Sequence, residues 1–151
     1  HTGCSRQESR ARAEEMFKLV GIAPDRVSDY PHQFSGGMRQ RIVIAICLAL
    51  RPELIIMDEP TTALDVVVQR EILEQVLDLQ QTYGFSVLFI THDLHLMAQL
   101  CHRIGVMLKG ELVEVGDVTQ VSQSPAHEYT RKLWNAIPQL PASVHPSGVF
   151  A

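Results

Sequence analysis

Two adjacent carboxylates, Asp58 and Glu59, close an apolar run, Leu54-Ile55-Ile56-Met57, and Pro60 follows at once. Such a run reads as a short strand buried on both faces, as central strands of a parallel sheet are. Pro60 ends it because proline cannot donate to the ladder. Asp58 then stands at the carboxyl end of the strand, where open α/β sheets bind their ligands. A carboxylate so placed can hold a hydrated Mg²⁺, and Glu59, one step further into the cleft, can take a proton from an attacking water. Taken alone, the stretch reads equally well as a strand meeting a polar loop.

Other candidate residues flank it in a fixed order. Ser35-Gly36-Gly37 opens a helical segment 23 residues before Asp58. Free N–H groups and the helix dipole favour an anion at such an end, and two glycines remove the side chains that would block a phosphate. By itself the tripeptide is more simply a capped helix with a flexible start. Asp65, before Val66-Val67-Val68, is most simply the N-cap of the next helix, a role compatible with a functional one. His92 ends a second apolar strand, Ser86 to Ile90, expected to lie beside the first. Two strand ends opening on one crevice would bring His92 and Glu59 to the same ligand. A lone histidine after a strand is more often structural, and His95 and His102 on the following helix take that reading.

The elements that must position these residues alternate. Apolar spacing at Ala13, Met16, Phe17 and Val20 predicts a helix from about Gln7 to Val20 after a polar, frayed start. Pro24, Asp25, Ser28, Asp29 and Pro31 predict a loop or short turn over 22–34. The next helix runs from Gly36 or Gly37 to Leu50, and its apolar second half predicts deep burial on all sides. A helix from the Thr61–Asp65 loop to about Tyr83, the second strand, and a helix from Leu94 to Cys101 follow. Two strands around Lys109-Gly110 form a hairpin, with a small helix near 118–122, a helix over 127–136 and an extended tail. Strand and helix in alternation predict an α/β fold with a parallel sheet.

Totals narrow the class. At 151 residues the chain is one domain with a real core; 46% hydrophobic and 20% charged residues suit a soluble globular protein. The balance of 13 basic against 17 acidic residues, a net charge of −4, points away from a nucleic-acid surface. The longest apolar run, Ile42 to Leu50, is nine residues, short of the ~20 a membrane span needs. Cys4, Cys47 and Cys101 lie far apart without a CxxC pair, the pattern of reduced cytosolic thiols. The opening His1-Thr2-Gly3-Cys4 has no initiator Met, and the chain reads as a piece of a longer protein.

In this order the series FSGGMRQR, LIIMDEPTTALD and FITHD resembles the second half of an ATP-binding cassette (ABC) nucleotide-binding domain. FSGGM is similar to the signature motif, LIIMDE to the Walker B strand with its catalytic glutamate, ALD to the D-loop, and FITHD to the switch-histidine region. The resemblance covers roughly Ala11 to Ala136. YPHQFSGGMRQR with SPAHEYTRKLWNAIP is most similar to the dipeptide, oligopeptide and nickel importer subfamily. Phe34 and Met38 depart from the commonest leucine and glutamine of the signature. The cysteine cluster that binds an iron–sulfur centre in some members does not occur here.

The resemblance implies a partial P-loop NTPase fold, with a parallel-sheet core, part of a helical signature subdomain, and a C-terminal hairpin and helix. Residues 1–50 would belong to the helical subdomain, 51–136 to the second part of the catalytic core, and 137–151 to the tail. It implies ATP and Mg²⁺ as cofactors: Asp58 for the metal, Glu59 and His92 for catalysis, and Ser35, Gly36, Gly37, Met38 and Asp65 for nucleotide held across a dimer. It also implies partners: a second ABC ATPase subunit, identical or not, transmembrane permease subunits, and indirectly a solute-binding protein. Location would be the cytoplasmic face of the inner membrane, peripherally. No GxxxxGK[ST] occurs in the chain, so neither the phosphate loop nor its lysine is expected, nor the glutamine loop. The chain alone is therefore expected to be inactive. Two rival readings are a non-catalytic truncated product and a soluble ABC ATPase of DNA repair or translation.

Overall fold

The computed structural model describes residues 5–61 and 64–136, leaving aside the side chain of His95. The expected tail over 137–151, residues Thr62 and Ala63 of the loop after Pro60, and Cys4 lie outside the described residues. The chain divides into two compact units, one up to Ile90 and one from Thr91.

In the first unit, helix α1 (Arg6–Leu19) starts earlier than the polar opening suggested. Ser5 and Glu8 form a capping box: the Glu8 N–H donates to Ser5 Oγ at 3.2 Å, and the Ser5 N–H to Glu8 Oε2 at 2.7 Å. The proline-rich stretch that follows is tighter than a loop. Pro24–Ser28 and Pro31–Gln33 are 3-10 turns, each opened by a proline whose φ is preset for a first turn. Helix α2 (Gly36–Ala49) leads to strand β1 (Leu54–Asp58), helix α3 (Val66–Tyr83) and strand β2 (Ser86–Ile90). Gly84, in the left-handed region at φ 72°, ends α3 by donating its N–H to Gln80 O.

Strands β1 and β2 pair in parallel, Leu54 opposite Ser86 and Asp58 opposite Ile90. Ile55, Met57, Phe85, Ile44, Leu48, Ile72, Val76 and Leu79 form the core, with Val87 and Phe89 packed against it. Two expectations of burial are corrected here. Strand β1 is buried on one face only: Ile56 is 61% exposed and Leu88 beside it 50%. A parallel strand is buried twice only when helices flank both faces, and among the described residues they cover one. Helix α2 buries Ile44, Ala45 and Leu48, whereas Ile46 is 63% exposed and Val43 and Leu50 also face outward. Its packing neighbours among the described helices are α1 and α3.

The second unit holds helix α4 (Leu94–Leu100), strands β3 (Arg103–Leu108) and β4 (Glu111–Asp117), and helices α5 (Val118–Gln123) and α6 (Glu128–Ala136). The hairpin turns where expected: Lys109 and Gly110 both have positive φ, as a tight two-residue turn requires. Ile104, Val106 and Val121 are its core, lined by Tyr129, Leu133 and Trp134. Glu114 on β4 receives the N–H groups of Ala126 at 2.7 Å and His127 at 3.0 Å, tying the approach to α6 onto the hairpin. The adjoining Thr130 hydroxyl, then these two N–H groups, hold its carboxyl below the usual carboxylate range.

Candidate functional site

Ser35 is the N-cap of α2, with extended backbone and its Oγ accepting the Met38 N–H at 3.3 Å. Ser35 and Gly36 are exposed. In an α-helix the first N–H groups have no partner within the helix, so those of Gly36 and Gly37 point outward along its axis. This is an anion-seeking end in both geometry and dipole. The chain enters it over Phe34, a buried ring packed edge-on against Phe17 at 6.1 Å.

Arg26 sets that entry, and nothing in the sequence singled it out. Its guanidinium lies 4.5 Å from the Phe34 ring centre and is paired with Asp29 at 2.8 Å. It also donates to Gln33 O at 3.0 Å and to Met38 Sδ at 3.6 Å. The Met38 side chain therefore lies half-buried between Arg26 and the core, and Met38 offers its backbone N–H only to the cap. The signal for Arg26 was faint: an arginine three residues before an aspartate in a proline-bounded turn.

At the end of β1, Asp58 is exposed and Glu59 half-buried. Glu59 has φ 45°, in the left-handed region that non-glycine residues enter at a cost of roughly 1–3 kcal/mol. Arg51 and Lys109 share this sign of φ for ordinary reasons, one just past a helix end and one in a hairpin turn. Glu59 stands at the bend where the end of β1 meets the turn at Pro60-Thr61. Its N–H is held by Ile90 O at 2.9 Å, which extends the ladder one residue past β1 and fixes the bend. A bent residue at a strand end is a common device for aiming a side chain into a site.

Asp65 caps α3, its Oδ1 accepting the Val68 N–H at 2.9 Å, as its position before Val66 suggested. His92 is exposed and is the second residue of the second unit, two residues beyond the end of β2. Its neighbours shape the turn around it. The Asp93 N–H donates to Thr91 Oγ1 at 3.1 Å, while Asp93 Oδ1 accepts the Leu96 N–H at 3.0 Å and caps α4. Among the described residues no group of three or more His, Cys, Asp or Glu could hold a metal. Such a set does not suit zinc, but one exposed carboxylate suits Mg²⁺, which keeps most of its waters.

Comparison with known proteins points to the same family as the resemblance. Residues 2–62 match the family model described as ABC transporter. Over 140 residues the chain is 51% identical to a probable peptide ABC transporter ATP-binding protein of Sinorhizobium fredii, covering 91% of this chain and 42% of that protein. It is 48% identical over 145 residues to the oligopeptide transport ATP-binding protein OppD of Bacillus subtilis, covering 95% and 40%. It is also 48% identical over 144 residues to the glutathione import ATP-binding protein GsiA of Salmonella typhimurium, covering 94% and 23%. Among solved structures, cbiO1 of Clostridium perfringens, part of the ABC transporter complex cbiONQ, matches with a TM-score of 0.70 at 29% identity. That match covers 91% of this chain and 54% of cbiO1. The chain spans about two fifths, or less, of the length of these curated relatives. In fold and in relatives, the chain is similar to part of the ABC transporter ATP-binding proteins.

Proposed function

We propose that the chain supplies part of an ATP-hydrolysing subunit of an importer for peptides or similar solutes. The observation that carries this reading is the left-handed bend at Glu59 beside Asp58, where the end of β1 meets the turn at Pro60-Thr61. The names of the relatives, all ATP-binding proteins of peptide or glutathione transport, support the cargo class. In this reading Glu59 takes the proton of the attacking water. Asp58 holds Mg²⁺ through water, and the metal, when bound, neutralises phosphate charge. His92 contacts the terminal phosphate. Ser35, Gly36 and Gly37 grip the nucleotide of a second ATPase subunit, with Met38 completing the same helix start, and Asp65 links the two sites.

The subunit would work on permease partners at the cytoplasmic face of the membrane. No helix among the described residues is long and apolar enough to cross one, which is consistent with peripheral attachment. Closure around ATP and release after hydrolysis would drive the permease between its two faces.

The test is Glu59→Gln in the complete subunit carrying this sequence. Gln keeps shape and hydrogen bonding but cannot accept a proton, so turnover should fall by ~10²–10⁴-fold while ATP binding persists. Turnover within about twofold of the parent would remove Glu59 from that role, since losing a general base costs far more.

A further inference from the structure

We propose that Gly37 is a positioning residue whose missing side chain seats the start of α2 against Val68, so that Ser35-Gly36-Gly37 and the Asp65 segment move as one body. A Cβ built on Gly37 would stand 2.6 Å from Val68 Cγ1, closer than packed atoms come, and 4.0 Å from Ile72 Cδ1. Gly36 is the milder case, with 3.2 Å to Leu64 Cδ2. The seam continues one turn on, where Arg41 on α2 pairs with Glu71 on α3 at 3.1 Å.

Both ends of the contact are pinned. Val68 cannot recede easily, because its N–H is held by the Asp65 cap and it packs against the core. On the other side, Phe34 is buried and Arg26 clamps the turn leading into α2. A methyl group at 37 must therefore push the two helix starts apart, turning the Gly36 and Gly37 N–H groups away from their line. Phosphate access alone demands small residues on the outward side. The Gly37 requirement comes instead from the side facing α3, and the residue that imposes it lies 31 positions later in the chain.

The functional consequence rests on the reading above: the anion-gripping end and the Asp65 segment would serve different nucleotides of a dimer, and this seam would join them within one subunit. The experiment uses Gly37→Ala, Val68→Ala and the double variant in the complete subunit. Melting temperature, single-subunit ATP binding and ATP-dependent dimer affinity are measured on each. Gly37→Ala should lower the melting temperature and weaken dimer formation about tenfold or more, with single-subunit ATP binding unchanged. Val68→Ala should lose little dimer affinity, and the double variant should return to its level. A double variant as impaired as Gly37→Ala would overturn the proposal, as would a Gly37→Ala protein that behaves like the parent. If Gly37→Ala does not fold, recovery of folding in the double variant supports the seam, and its absence overturns it. If the parent neither dimerises nor hydrolyses ATP, the functional reading fails. The melting temperatures of the same set then decide the packing separately.

Discussion

The two units solve burial differently. In the second, almost every partner is close in sequence: β3 pairs with β4 across a two-residue turn, and Glu114 reaches no further than Thr130. In the first, partners come from afar. The strand β1 pairs with β2 after an intervening 18-residue helix, and Gly37 meets Val68. The second unit gathers a small core of its own, with Met107, Leu112 and Val115 left outside on the hairpin, while the first leaves Leu54, Ile56, Leu88 and Ile90 exposed on one sheet face. Nearly all the candidate chemistry sits in the open unit. Structure assembled from distant segments can bring dispersed groups together, and for the same reason it depends on more chain to cover its faces.

The sharpest way to break this contrast is to ask whether the open unit is sufficient. The 151-residue chain by itself should show no tight Mg·ATP binding by calorimetry and no phosphate release above background over hours. Its exposed helix start offers an anion only ~0.3–1 kcal/mol, too little to hold a polyanion. Micromolar affinity, or turnover that Glu59→Gln abolishes, would mean that the open face is no deficit.

A smaller effect compares the two faces of the sheet region. Ile72, fully buried on α3, should lose ~2–5 kcal/mol of stability on replacement by Ala, read from denaturant unfolding. Ile56→Ser, on the open face, should stay within ~0.5 kcal/mol and improve solubility by interrupting an apolar patch. Equal losses at both positions would show that the sheet face is covered in solution, and the contrast between the units would fail.

The smallest effect lies in the closed unit. Glu114 has its carboxyl held below the usual range, so folding favours its ionised form. The stability it contributes is present above the unfolded value, about 4.3, and is lost as pH falls through the lower folded value. Glu114→Gln should flatten that acid limb of an unfolding-versus-pH curve, and the variant and parent should converge below it. An unchanged acid limb would mean that Glu114 does not hold the start of α6.

Much of this was legible in the residues because it is local. Caps such as Ser35 and Asp65 act on the N–H three residues away, and strand ends such as Asp58-Glu59-Pro60 announce themselves by a change of residue type. The hairpin at Lys109-Gly110 and the alternation of strand and helix belong to the same class, and so does the order of motifs that carried the family resemblance. Tertiary structure decided the rest. An apolar run does not say how many of its faces are covered, so the double burial expected of β1 and the all-round burial of α2 came out one-sided. The bend at Glu59 held by Ile90 O and the demand that Val68 makes on Gly37 each join residues far apart in the chain. Short-range rules of propensity and capping cannot see such contacts, because packing and hydrogen bonding act through distance in space, which only the folded chain sets.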